Sequence, residues 1–124
     1  MFYGELLEFS LRSKSETAAF IDLGDQFINL SKVEQQPKEN HRHFGLVVTD
    51  KEAVRAKLNE MGVEMASTRF LDFYDPWSNR IEIVGYDNIQ FSKTPGVLRG
   101  MGLDSLTKND KAIQELTDKG MASN

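Results

Sequence analysis

The chain contains no cysteine, which excludes disulfides, thiolate metal sites and a cysteine nucleophile. Histidine is almost as scarce, with only His41 and His43 among 124 residues. There is a single tryptophan, Trp77, and only three prolines. No apolar run approaches the roughly 20 residues that a membrane helix needs. The N-terminus also lacks the basic start and long apolar stretch of a signal peptide, so a cytoplasmic protein with no membrane partner is expected. Basic residues are not in excess: 15 Lys and Arg stand against 19 Asp and Glu, a net charge of −4 with a pI near 5.2. A broad nucleic-acid-binding face is therefore excluded. Phosphate-cradling glycine loops, GxSxG and HExxH are also absent, which removes the common nucleotide, serine-hydrolase and zinc-protease signatures.

What remains is ordinary for a soluble globular chain, 40% hydrophobic and 27% charged. A length of 124 residues suits one domain with one core. Phe2 to Leu7 reads as a turn or two of helix, and Glu8 to Arg12 alternates as a strand. Ala18–Leu23 and Gln26–Ser31 are two strands around Gly24-Asp25, a tight-turn pair. The polar segment 33–40 is an exposed connection. His43–Val48 is the next strand, and Thr49-Asp50-Lys51-Glu52 is a capping box for a helix with Val54, Leu58 and Met61 on one stripe. Gly62 ends that helix, and Val63–Ala66 is a short strand. Two alternating runs then flank Asp75-Pro76-Trp77-Ser78-Asn79, so Phe70–Tyr86 reads as a hairpin. After Tyr86 periodic signals are few, until Thr107 opens a last helix through Lys119, with Ala112, Ile113 and Leu116 inward and Gly120 closing it.

Two features stand out. Within the second arm of the hairpin, Ile81 and Ile83 point one way, while Arg80, Glu82, Val84 and Tyr86 point the other. A carboxylate there needs a partner, so Glu82 either forms a solvated pair with Arg80 or Arg69 or belongs to a site. The second feature is an internal repeat: Phe20-Ile21-Asp22-Leu23 resembles Phe70-Leu71-Asp72-Phe73, and Phe27-Ile28-Asn29-Leu30 resembles Arg80-Ile81-Glu82-Ile83.

His43-Phe44-Gly45-Leu46-Val47-Val48 with its capped helix, followed by Asp75 to Val84, resembles the vicinal-oxygen-chelate superfamily of glyoxalases, extradiol dioxygenases and bleomycin-resistance proteins. The resemblance covers residues 1–86. It implies an α+β fold of paired βαβββ modules with curved mixed sheets: residues 1–33 as a first module lacking its opening strand, residues 41–86 as a complete second module, and residues 87–124 as a C-terminal helical extension, all within one domain, 1–124. It implies a divalent metal (Fe, Mn, Ni or Zn) held by ligands on the first and last strand of each module. Those positions fall on His43 and Glu82 in the second module; in the first, the last-strand position falls on Asn29. His41 is a substitute ligand or a supporting group. Glu82 is the candidate catalytic residue, moving a proton in lyase, isomerase or dioxygenase chemistry on a small molecule with adjacent oxygens. Tyr74, Trp77, Arg80 and Tyr86 are the candidate ligand-binding residues, suited to a flat or aromatic molecule. The alternative is a non-catalytic, sequestering small-molecule binder. The unpaired edge left by the missing strand favours a homodimer.

Overall fold

A computed structural model describes residues 2–122. The fold is α+β. Helix α1 (Phe2–Leu6) leads into an antiparallel sheet of β1 (Ser10–Lys14), β2 (Ala18–Leu23) and β3 (Gln26–Ser31), in the order β1-β2-β3. The second sheet is built from β4 (Phe44–Val48), β5 (Asp72–Tyr74) and β6 (Arg80–Gly85), in the order β4-β6-β5, with α2 (Lys51–Glu60) between β4 and β5. The strand expected at Val63–Ala66 is reduced to one bridge, Met65 opposite Phe73. It is flanked by hydrogen bonds from the Ala66 N–H to the Asp72 carbonyl (2.8 Å) and from the Tyr74 N–H to the Glu64 carbonyl (3.0 Å). Counting that bridge, the second copy runs strand, helix and three strands, and the first begins at its helix. No described helix is long and apolar enough to cross a membrane.

Backbone contacts divide the chain into two compact units: Met1–Leu46 with Glu52–Ile83, and Val47–Lys51 with Val84–Asn124. In the first unit the core is Tyr3, Leu6, Ile21, Ile28, Leu46, Val54, Leu58, Leu71, Phe73, Ile81 and Ile83. The β6 pattern follows the predicted alternation, with Ile81 and Ile83 buried and Glu82 partly exposed. Gly62 adopts the left-handed conformation (φ 65°) that ends α2.

The two hairpins are related more closely than their sequences suggest, through a different alignment. In the first, the pairs Ile21↔Ile28, Asp22↔Phe27 and Leu23↔Gln26 precede the two-residue turn Gly24-Asp25. In the second, Phe73↔Ile81 and Tyr74↔Arg80 are followed by the Asp75 N–H bonding the Asn79 carbonyl at 3.0 Å. The loop is therefore only Pro76-Trp77-Ser78, and Ser78 takes the left-handed conformation (φ 71°) that a three-residue hairpin loop requires at its end. Ile21 is thus equivalent to Phe73 and Phe20 to Asp72, a shift of two residues from the sequence match. A two-residue shift preserves which face each side chain takes. Asn29 opposes Phe20 just as Glu82 opposes Asp72.

Asp75 holds the second hairpin closed. Its Oδ1 accepts from the backbone N–H of Trp77 and of Asn79, both at 2.9 Å, and its Oδ2 accepts from Asn79 Nδ2 at 2.7 Å. The Tyr3 hydroxyl donates to the same Oδ2 at 2.5 Å, tying α1 to the loop. Burial, followed by the hydrogen bond to Asp75 and its negative charge, pushes the Tyr3 phenol far above its ordinary pKa, so it stays a donor.

The second unit departs from expectation in three places. Tyr86 does not continue β6; the strand ends at Gly85 and Tyr86 opens a 3-10 turn, Tyr86–Asn88, buried at 3% exposure. A further helix, α3 (Pro95–Gly100), forms where no period was legible, with the Thr94 side chain accepting from the Val97 N–H and Pro95 at its first position. The last helix, α4 (Asp110–Asp118), starts later than Thr107 and is capped by Asn109, whose Oδ1 accepts from the Ala112 N–H. Ala112 and Leu116 are buried, whereas Ile113 is exposed. One ammonium organises this unit: Lys108 Nζ donates to the carbonyls of Tyr86 (2.6 Å), Ile89 (3.0 Å) and Phe91 (2.6 Å), and lies 3.6 Å from the Tyr86 ring centroid. Burial pushes its pKa below the usual lysine range. Lys108→Met leaves those carbonyls without their shared charged donor. It is expected to destabilise the second unit by about 2 kcal/mol, read as an earlier urea transition.

Candidate functional site

Strand alternation and hairpin register bring Asp72, Arg80 and Glu82 to one face of the second sheet, and His43, just before β4, approaches Glu82 there. Asp72 and Glu82 face each other directly across β5 and β6. Two carboxylates in opposed positions repel, and each has its own cationic or donor partner. Asp72 is 1% exposed; its Oδ2 accepts from Arg80 Nε at 2.9 Å and Nη2 at 2.5 Å, and its Oδ1 accepts from the Ser67 hydroxyl at 2.6 Å. Burial on its own would raise the Asp72 pKa. The Ser67 and Arg80 hydrogen bonds outweigh it and hold the carboxyl below its usual range. Arg80 is therefore committed to Asp72, and its pKa is raised by the same bond.

Glu82 is left to His43. His43 Nε2 lies 3.6 Å from Glu82 Oε2, with the side chains 37% and 26% exposed. That distance is ion-pair range rather than a hydrogen bond. Of the two alternatives for Glu82, the pair with Arg80 or Arg69 is not what forms: Arg80 takes Asp72, and Arg69 lies over the Phe70 ring. Arg80 Nη1 also donates to the Asn40 carbonyl at 2.9 Å and pins the end of the connection that precedes β4. His41 does not share a strand face with His43. Strand β4 begins only at Phe44, and the Glu39 carboxylate holds Arg42 through its backbone N–H and guanidinium. It is the His41 carbonyl, 3.5 Å from His43 Nδ1, that approaches the second imidazole.

His43 and Glu82 are chemically suited to a divalent cation. Donors about 2.1 Å from a tetrahedral ion stand roughly 3.4 Å apart, close to the 3.6 Å observed. They fill two positions and no more, since no group of three or more His, Asp or Glu suited to a metal occurs among the described residues. Asn29, the counterpart of Glu82, is exposed on β3 and lines a separate open pocket of about 470 Å³ with Phe27, Phe44, Gly45 and Leu46. Neither His43 nor Glu82 lines that pocket.

The candidate ligand-binding residues do not converge. Tyr74 is covered by the Lys38 ammonium, 4.2 Å from its ring centroid. Arg80 is spent on Asp72. Tyr86 is buried in the second unit, its hydroxyl accepting from the Lys93 N–H at 2.8 Å. Trp77 lines a groove of about 570 Å³ that excludes Tyr74, Arg80, His43 and Glu82. Sequence reasoning passed over Asp72 and Ser67 as site residues. Only the hairpin register places Asp72 beside Glu82, and the sequence carries no direct signal of it.

The depressed Asp72 pKa implies a stability contribution that is complete above the ordinary carboxylate range. It is lost as pH falls through the lowered folded value. The thermal midpoint is expected to drop as pH falls below about 4. In Arg80→Met that acid-dependent loss should be smaller, because the folded pKa rises toward the unfolded one.

No sequence-family model matches the chain, and no curated protein sequence does. Solved structures do resemble it. The fosfomycin resistance protein FosX from Listeria monocytogenes aligns with a TM-score of 0.57 at 14% identity, covering 74% of this chain and 81% of that one. A glyoxalase family protein from Bacillus anthracis aligns with a TM-score of 0.55 at 22% identity, covering 68% and 78%. A glyoxalase/bleomycin resistance protein/dioxygenase from Alicyclobacillus acidocaldarius aligns with a TM-score of 0.54 at 16% identity, covering 70% and 80%. The chain has the vicinal-oxygen-chelate fold.

Proposed function

We propose that the chain is a small-molecule protein of the glyoxalase and dioxygenase kind whose chemistry centres on His43 and Glu82. The observation that carries this is the 3.6 Å approach of His43 Nε2, immediately before β4, to Glu82 Oε2 on β6, the neighbour of β4 in the second sheet. The two side chains would hold a divalent ion (Fe, Mn, Ni or Zn) in adjacent positions, leaving the others to a substrate with vicinal oxygens. A bound ion would polarise those oxygens. Glu82, freed from Arg80 by Asp72, is the group able to accept or return a proton in a lyase, isomerase or dioxygenase reaction. Asp72 and Asn40, through Arg80, act as positioning residues.

Calorimetric titration with Zn(II), Ni(II), Mn(II) and Fe(II) tests this. The expected outcome is binding of one ion per chain, lost in His43→Ala and in Glu82→Gln and retained in Asn29→Ala. The shortage of a third donor favours the second alternative, a metal-free binder that sequesters its ligand. No heat with any of the four ions would select that alternative and remove the metal-dependent reaction.

A homodimer is part of the same proposal. Strand β3 is at the edge of its sheet. The bond from the Lys32 N–H to the Thr17 carbonyl (2.7 Å) sets the ladder's parity, so the backbone groups of Phe27, Asn29 and Ser31 point away from β2. Phe27 is 61% exposed beside them. A second copy pairing along this edge would cover both. Asn29→Pro removes an outward N–H without breaking the β2–β3 ladder. Light scattering is expected to show a dimer for the unaltered chain and a monomer for Asn29→Pro; a monomer in both cases overturns the pairing.

A further inference from the structure

A groove of about 570 Å³ in the first unit runs from the β1–β2 turn past the end of β3 to the tip of the second hairpin. One wall is aromatic and fixed in place. Trp77, 53% exposed, lies near-parallel to the Tyr3 ring at 19°, with centroids 6.4 Å apart. Tyr3 is buried and anchored through its hydroxyl to Asp75, and Asp75 also holds the Trp77 backbone N–H. The Trp77 backbone is held by Asp75 and one side of the indole is backed by the Tyr3 ring, so part of its ordering precedes binding. Across from it, Ala18, Ala19, Leu30 and Val33 supply apolar contact. At the rim, Lys14 and Lys32 are matched by Glu16 and Glu34, so the groove offers no net charge to select an ion. Hydrogen-bonding edges come from Ser15, Ser78 and the Gln36 amide, which is itself bonded to Asn79.

Ser78 gives a second, separate indication. It is the one non-glycine residue with positive φ among the described residues, at 71°. A glycine there would close the same three-residue loop without strain, yet the position carries a hydroxyl on the groove wall. Backbone strain of this kind concentrates where a side chain is needed.

We propose that this groove is a binding site for a neutral, planar aromatic molecule stacked on Trp77, distinct from the His43–Glu82 pair. The site is independent of whether that pair holds a metal or performs a reaction. Its ligand is recognised by stacking, apolar contact along β2 and β3, and hydrogen bonds at the ring edge, not by charge.

The single tryptophan makes the site directly readable. Dansylamide, a neutral naphthalene sulfonamide that absorbs where tryptophan emits, is titrated into the intact chain. The expected result is a saturable loss of Trp77 emission with a matching rise in dansyl emission. Read from the dansyl signal, binding should weaken roughly tenfold in Trp77→Leu and by a similar factor in Val33→Asp. Both replacements fall at exposed positions, so the fold is retained and checked by circular dichroism. His43→Ala should bind as the unaltered chain does. Absence of saturation up to about 1 mM overturns the proposal. So does binding that both groove variants leave unchanged, or binding that is lost in His43→Ala.

Discussion

The carboxylate of Asp75 is the constraint on which the first unit depends. Its two oxygens take four donors: two backbone N–H groups of its own loop, the Asn79 amide and the Tyr3 hydroxyl. An aspartate buried at 4% exposure is costly unless its lone pairs are filled, and here they are. Filling them closes a three-residue loop and sets how β5 meets β6. That register puts Asp72 opposite Glu82. The same carboxylate fixes Tyr3, and through it the tilt of α1 and the backing of Trp77. Hairpin, helix and aromatic groove thus share one anion.

The face of the second sheet follows from a conflict of like charges. Asp72 and Glu82 are opposed on adjacent strands, which is unfavourable unless each is compensated. Arg80 lies diagonal to Asp72 and, with Ser67, satisfies it. Since a guanidinium so engaged is no longer available to Glu82, the partly exposed carboxylate turns to the imidazole of His43, just before β4. The division of labour is physical: the buried acid takes the permanent cation and becomes structural, and the partly exposed acid keeps the titratable partner. A carboxylate beside an imidazole, open to solvent, is the arrangement on which the proposed metal binding or proton transfer rests.

The second unit is organised around a cation rather than an anion. Lys108 gathers the carbonyls of Tyr86, Ile89 and Phe91, which point inward because the strand ends at Gly85 and the chain turns. Tyr86 is consumed in that arrangement, its ring under the ammonium and its hydroxyl on the Lys93 N–H. Its absence from the sheet face is therefore a consequence of where β6 stops. The sequence holds no sign of this stop, since Gly85 and Tyr86 continue the alternation in type.

What the sequence by itself determined is whatever depends on neighbours along the chain. Strands β2 and β3 were legible to the residue because Gly24-Asp25 is a two-residue turn between alternating runs, and turn and pattern agree. The βαβββ order of the second copy, the stop at Gly62, the burial of Ile81 and Ile83 and the correspondence of Asn29 with Glu82 came from the same local periodicities. What the tertiary structure decided is which side chains meet. Helix α3 hides in six residues stabilised by a Thr94 cap and Pro95 rather than by an apolar stripe, and the start of α4 was decided by which of two nearby polar residues caps it. Trp77, in the loop of the site hairpin, belongs to a different groove because the loop points beyond the sheet face that carries Asp72 and Glu82. Arg80 chose Asp72 over Glu82 through a pairing register that depends on loop length, a three-residue loop where five turn-forming residues stand in the sequence. Period-2 patterns assign a face to each residue but not its opposite number across the ladder. Only the closed loop around Asp75 supplies that, and with it the pairing of Arg80 with Asp72 that leaves Glu82 to His43.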